Sequence, residues 1–528
     1  MRRRKNPIGA CCKDHNVVAG SAPAVELDGR QLTLEAIQSV AVGAAEVTIS
    51  AGARRRVKAA RRLVDEKMEQ GEAIYGVTTG FGRLAQIPIA RADAEQLQLN
   101  LVRSHAAGTG PPLPERFVRA AGVLRASSLA AGHSGIREET LDLLAALLNR
   151  GVTPYVPSQG SVGASGDLAP LAHMTLTLIG EGDAYFGGER MPSARALQLA
   201  GLEPIKLAPK EGLSLVNGTE AMTGIAALSL LRAECLMEAA DVIGAMSLEA
   251  FLGTDRVFDR RINALRPHPG QAAVADHLRA LLRGSEIIES HRECGRVQDP
   301  YSYRCIPVVH GAVRDASAYA RTAIETEAIS VTDNPLVFPD DGEFLSGGNF
   351  HGQPVALACD VLKIALAELA SISERRLYLL LNAEERGLPL FLTGRSGLQS
   401  GLMIVQYTSA ALVSENKGLA WPNSVDSIPT SAGQEDHVSM GMTAALNLDR
   451  VLDNVEGSLA CELLAALAAT DFRRPLRSGV GTQAAYDTAR KSIAAWREDR
   501  SPAPDIQAAR TLIASGELVN SAEKAASK

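Results

Sequence analysis

Gly160–His173 reads GSVGASGDLAPLAH. Three glycines fall within seven residues, and Ala164-Ser165-Gly166 is framed by them. Side chains this small leave the backbone unshielded and free to bend tightly. Asp167 and Pro170 then read as the N-cap and a first-turn residue of a helix running through LAPLAHMTLTLIGEG. Ser165 is a poor hydrolase nucleophile. The G-x-S-x-G pattern requires glycine at 167, where Asp stands, and TPYVPSQGSVG upstream lacks the strand that precedes such an elbow. Taken alone, GASGD is a flexible loop that caps a helix.

Outward from this loop the chain is helical in character. Ala and Leu recur throughout, and aromatic residues are only 4% of the 528. That balance favours helix over strand. VELDGRQLTLEAI predicts a short strand, a turn at Asp28-Gly29 and a helix, and FGGERM predicts a hairpin turn. Beyond Gly212 the pattern predicts long helices over about 218–252, 271–290, 310–330, 353–381, 402–418 and 440–470. Several are apolar on more than one face, as in a central bundle. The expected organisation is a tail over 1–24, an N-terminal domain over 25–211, the bundle over 212–480, and a C-terminal helical segment and tail over 481–528.

With 46% hydrophobic residues the chain can bury a large core. The net charge of −6 gives no sign of the basic face that nucleic acid requires. No run of about 18 apolar residues predicts a membrane span. MRRRKNPIGACCKDHN has a basic start but no apolar region behind it, so it is not a secretory signal. Seven cysteines are mostly dispersed. Cys235, Cys359 and Cys461 lie in apolar helical patterns and read as small core residues, and a reducing cytoplasm is expected. There is no H-E-x-x-H, no C-x-x-C and no phosphate-cradling glycine loop, so neither a metal nor a nucleotide is expected.

Polar loops pinned by glycines supply the candidate chemistry. They are Tyr75–Gly82, Ser104–Gly110, Gly160–Asp167, Gln298–Arg304 and Ser346–Gln353, with Gln434–His437 packed between helices. Tyr75 and Tyr301 can handle protons, and Arg304 offers a planar fork suited to a carboxylate. Together they suit a site assembled from dispersed loops around a helical core.

YGVTTGFG, NLVRSHAAGTG, GSVGASGDLAPLAH, LVNGTE, RVQDPYSYRC, VTDNPLVF, SGGNFHGQ and SVDSIPTSAGQEDHVSM occur in this order. Over about residues 25–480 the chain resembles the aromatic amino-acid ammonia-lyase family, nearest to its histidine-specific branch. The resemblance implies a mainly α fold, with a long central helical bundle and a smaller N-terminal portion carrying the electrophile. It implies that the Gly166 amide nitrogen attacks the Ala164 carbonyl carbon. Loss of water, including the Ser165 hydroxyl, then leaves a methylidene-imidazolone (MIO) near helix N-termini, with no pyridoxal phosphate needed. Tyr75 matches the family's base for the β-proton, and a positive field from Arg304 and helix ends would assist it. Arg304 matches the carboxylate-binding arginine and Asn217 an asparagine that holds substrate or MIO. Tyr301 and Gln298 match polar groups beside the MIO, and Phe350 an aromatic that buttresses it.

Substrate choice is expected to rest on His105 and Glu435. A histidine and a carboxylate suit an imidazole, which both donates and accepts hydrogen bonds. The implied reaction is elimination of ammonia from L-histidine to give trans-urocanate. The alternatives are a tyrosine or phenylalanine lyase, an aminomutase, or a non-catalytic paralogue. Glu220 stands where the histidine-specific enzymes usually carry Gln, and Gly433 where Asn is common. The family also implies a homotetramer whose sites combine loops from three chains.

Overall fold

The computed structural model describes residues 24–528. The basic N-terminus, with Cys11 and Cys12, lies outside the described residues. The N-terminal part comprises β1 (Ala24–Leu27), α1 (Leu34–Ala41), β2 (Glu46–Ile49), α2 (Ala51–Glu69), α3 (Ala94–His105), β3 (Thr109–Pro112), α4 (Glu115–Ala130), α5 (Glu138–Arg150), β4 (Thr153–Pro154), β5 (Pro157–Gln159), α6 (Leu168–Leu178), β6 (Asp183–Phe186), β7 (Glu189–Pro192), α7 (Ser193–Ala200) and α8 (Glu211–Val216). Then follow α9 (Glu220–Ala250), α10 (Arg260–Ala264), α11 (Pro269–Leu281), α12 (Glu286–Glu289), α13 (Tyr301–Arg304), α14 (Ile306–Ala328), β8 (Leu336–Phe338), β9 (Glu343–Leu345), α15 (Gln353–Leu381), α16 (Met403–Leu419), α17 (Gly441–Asp471), α18 (Val480–Ala489), α19 (Ala503–Ala514) and α20 (Glu517–Ala526).

The strands form only small sheets: β1 with β2 in parallel, β3 with β5, β4-β6-β7, and β8 with β9. The predicted turn after β1 is an Asx turn, in which Asp28 Oδ1 accepts the N–H groups of Arg30 and Gln31 at 2.8 and 3.0 Å. The hairpin at FGGERM is β6-β7.

The bundle is built from α9, α14, α15 and α17, which pack on one another. α9 is buried on nearly every face, as its all-round apolar pattern requires. The buried charged groups at the centre of the bundle are paired. Arg376 bonds Glu462 at 2.6 Å, and Glu462 also accepts from Ser247 and Ser373. Asp241 accepts from His277, His310 and Arg314.

The helix expected over 271–290 is two helices. The first ends at Leu281, Gly284 at φ +74° turns the chain, and Ser285 starts α12 by accepting the Ile288 N–H at 3.1 Å. Cys359 and Cys461 are core residues, whereas Cys235 is half-buried.

Candidate active site

The loop Gly160–Asp167 joins β5 to α6. Gly163 and Gly166, at φ +74° and +68°, pair with each other across the Ala-Ser step. Glycine is required there for space as well as conformation. A Cβ on Gly166 would overlap the Gly218 carbonyl, and one on Gly163 the Ser439 hydroxyl. Gly218 grips the loop from the other side: its N–H donates to the Ser165 carbonyl at 3.2 Å, and its carbonyl accepts the Asp167 N–H at 2.6 Å. Ala164 is buried against Val438 and Met440.

Four helices begin around this loop. Asp167 precedes α6, but its side chain makes no bond to that helix. The expectation that Asp167 caps its own helix is therefore corrected. Its Oδ2 instead accepts the Met222 N–H, in the first turn of α9, at 2.7 Å, and Ser161 donates to its Oδ1 at 3.1 Å. Burial without a cationic partner pushes this carboxyl up to about 7, against those hydrogen bonds. Ser439 donates to the Gly163 carbonyl at 3.3 Å and accepts the Gly441 N–H, at the start of α17, at 3.2 Å. Gly352, before α15, packs against the Met222 thioether and the Ser439 hydroxyl, which a Cβ there would have to displace. Helix N-termini carry partial positive charge, so the loop lies in a field that favours developing negative charge.

The segment Thr430–Met440 links this centre to the other expected site residues. Tyr75 is half-buried. Its hydroxyl accepts the Gly82 N–H at 2.9 Å, and Gly82 abuts Ser431. His105 ends α3 with Nδ1 facing the Leu101 carbonyl at 2.9 Å. A donor at Nδ1 leaves Nε2 as an acceptor. Burial lowers the His105 pKa, against the Leu101 bond and the charge of Glu435, which lies close enough to act on the ring. Thr430 donates to the Glu435 carboxylate at 2.6 Å. The loop bearing half-buried Phe350 is held by the His351 ring, stacked on His437 at 5.7 Å. His351 Nε2 also bonds the His437 carbonyl at 3.1 Å. Asn217, 3% exposed, precedes Gly218.

Both departures from the family pattern have local reasons. Glu220 is buried and bonded at 2.6 Å to buried Arg125, a pairing that a neutral Gln would leave uncharged on one side. Gly433 has φ +84°, the left-handed region that Gly and Asn share.

Gln298, Tyr301 and Arg304 lie elsewhere in the chain. Tyr301 is 71% exposed, and the Arg304 guanidinium sits 4.6 Å from its ring centroid. Gln298 and Arg304 line a cleft with Leu252 and Thr254, beyond the C-terminal end of α9. The loop at Ser165 meets the opposite end. The 31 residues of α9 separate the two groups by about 45 Å. Within one chain, then, Arg304 is far from Tyr75 and does not supply its field.

What sequence reasoning missed is the support. Ser161, Ser439 and Met222 hold the loop, yet Met222 and Ser439 lie 55 or more positions away from it, and nothing in their local pattern marks them. Among the described residues, no group of three or more His, Cys, Asp or Glu is placed to hold a metal ion, and no helix is long and apolar enough to cross a membrane.

The model of a family described as aromatic amino acid lyase matches residues 32–491. Histidine ammonia-lyase of Anaeromyxobacter sp. (strain K) is 56% identical over 501 residues, covering 93% of this chain and 99% of the relative. The same-named protein of Sorangium cellulosum (strain So ce56) is 56% identical over 506 residues, covering 94% and 98%. Among solved structures, histidine ammonia-lyase from Trypanosoma cruzi superposes with a TM-score of 0.88 at 41% identity, covering 95% of each chain. Tyrosine aminomutase from Streptomyces globisporus gives 0.90 at 38%, covering 95% of this chain and 99% of that one.

Proposed function

The chain belongs to the aromatic amino acid lyase family, and from that premise we propose that it eliminates ammonia from L-histidine to give trans-urocanate. The choice of substrate is carried by His105, at the end of α3, and Glu435, on the Thr430–Met440 segment, whose charge acts on the His105 ring. An imidazole can use both groups. A phenyl ring would leave both unpaired, at a cost of roughly 1–3 kcal/mol each. The histidine ammonia-lyases at 56% identity support the same choice.

The MIO formed from Ala164, Ser165 and Gly166 would supply an electrophile for the substrate amine, and neither pyridoxal phosphate nor a nucleotide is needed. The chain fits that group: at Gly166 a Cβ would overlap the Gly218 backbone, and at Gly163 and Gly218 it would overlap the Ser439 hydroxyl and the Glu220 and Arg125 side chains. Tyr75 takes the β-proton on its phenolic oxygen. Asn217 holds the amino end of the substrate, and Phe350 packs beside the electrophile. Arg304 binds the carboxylate, and Gln298 and Tyr301 are the polar groups beside the MIO. The N-termini of α6, α9, α15 and α17 stabilise charge that develops at the loop.

These roles require more than one chain, because about 45 Å of α9 separates Arg304 from Ser165. We therefore read the working form as a homotetramer with shared sites, active in the cytoplasm. α15 supports this by turning Leu357, Val361 and Ile364 to solvent as one stripe, a face that a second copy would cover.

The test is near-UV absorbance of purified protein given L-histidine, L-tyrosine or L-phenylalanine, beside a Ser165→Ala control. A urocanate band that grows only with histidine, and only with Ser165 present, is expected. A cinnamate-type band from another amino acid would move the substrate, and a β-amino acid product would replace the lyase by an aminomutase.

A further inference from the structure

Beneath Asn217 lies a buried charge pair that the chemistry above does not use. Lys210 is 0% exposed and Asp333 1% exposed, with Lys210 Nζ 3.1 Å from Asp333 Oδ2. Nζ also donates to Ser214 Oγ at 2.9 Å. Lys210 holds φ +73°, a left-handed conformation that a non-glycine residue keeps only where its surroundings enforce it. Burial would raise the Asp333 pKa, but the charges of Lys210 and Arg125 and the Asn334 N–H hold it below the usual carboxylate range. Asp333 is thus an anion, able only to accept.

Its second oxygen faces the site. Asn217 Nδ2 lies 3.3 Å from Asp333 Oδ1 and 3.2 Å from the Asn334 carbonyl. Both neighbours are acceptors, so both amide hydrogens of Asn217 are directed at them. The amide carbonyl oxygen is thereby turned the other way. Turning the amide over would set that oxygen against a carboxylate and a carbonyl, which is repulsive in a buried setting. The same segment reaches the loop of Phe350, since Asn334 Oδ1 accepts the Gly347 N–H at 2.9 Å.

From this arrangement we infer that Asp333 and Lys210 are positioning residues. They lock the side-chain amide of Asn217 so that its carbonyl oxygen accepts from the substrate's amino group. An amine donates, so an acceptor is the useful face. The inference rests on the ammonia-lyase reading, in which Asn217 meets the amino end.

A double-mutant cycle on L-histidine turnover tests it, with Asp333→Asn and Asn217→Ala made singly and together. Loss of two waters, read by intact mass, reports cyclisation in each protein. Asp333→Asn is expected to lose both waters and to lower kcat/KM about tenfold or more when Asn217 is present, but less than about threefold in the Asn217→Ala background. Equal losses in the two backgrounds, or none when Asn217 is present, overturn the inference. Retention of the waters in Asp333→Asn overturns it too, by assigning the pair to the loop instead. If Asp333→Asn does not fold, Lys210→Gln is carried through the same cycle and judged by the same outcomes. Wild-type protein inactive on histidine would count against the proposed reaction, whereas active wild type with an equally active Asp333→Asn counts against this inference alone.

Discussion

The carboxylate of Asp167 accepts the backbone N–H of Met222 at 2.7 Å, joining the residue after the Ala-Ser-Gly loop to the first turn of α9, one of the two longest helices. Unfolded, this carboxyl titrates near 3.8; folded, near 7. Between those values the folded chain holds the extra proton, so stability declines as pH rises from about 4 to about 7 and is level above. Asp167→Asn keeps an acceptor for Met222 and is expected to flatten that decline. Asp167→Ala leaves the Met222 N–H unpaired and is expected to cost about 1–3 kcal/mol. Urea unfolding at pH 5, 6, 7 and 8 measures both.

Glu435 is expected to select substrate by its charge. Glu435→Gln keeps the shape and removes the negative partner of the imidazole. A fall in kcat/KM for L-histidine of roughly 10- to 100-fold is expected, the range for losing a hydrogen bond to a charged group. Turnover of L-phenylalanine, however slow, should not fall. Parallel steady-state assays on the two amino acids decide it.

His277 ties α20 to the bundle, bonded to Asp241 at 2.9 Å and paired with Glu523. Burial would lower its pKa, but the two carboxylates win and hold it at about 9, against 6.5 in the unfolded chain. Its contribution is therefore complete below about 6.5 and is lost as pH rises through about 9. A shift of this size corresponds to about 3 kcal/mol. The Tm of wild type should fall between pH 7 and pH 10 more steeply than that of Glu523→Gln, as differential scanning calorimetry would record.

Shared sites predict complementation. Ser165→Ala and Arg304→Ala should each be inactive alone. Co-expressed, they should yield partial activity, because some hybrid sites take Ser165 from one chain and Arg304 from another. No activity in the mixture would place Ser165 and Arg304 in the same chain's site.

Long elements were legible because their signal is long. The helix read at 353–381 is α15, Gln353–Leu381, and that read at 440–470 is α17, Gly441–Asp471. Boundaries set by one backbone angle were not: Gly284 divides the segment read as a single helix over 271–290. Asp167 shows the limit most sharply. Its position before a helix fits an N-cap, yet the donor it serves is Met222, which only tertiary structure brings near. His105 and Glu435 were legible as a pair because family blocks carried both. Lys210 was not, since a lysine in PKEGL has no local feature that tells of burial.

Glu435 and Ser439 are four residues apart on one strap. The charge of the first acts on His105; the second clamps Gly163 and the start of α17. On the proposed reading, the side chain that discriminates among amino acids and the one that steadies the Ala164–Gly166 loop share one short segment, so a change at either is felt by the other. A lineage acquiring a new diet through this strap must preserve its own maturation at every step. Changes at Glu435 should be found coupled to compensating changes nearby, and engineers who redesign the pocket without regard to Ser439 should obtain proteins that fold but never arm themselves.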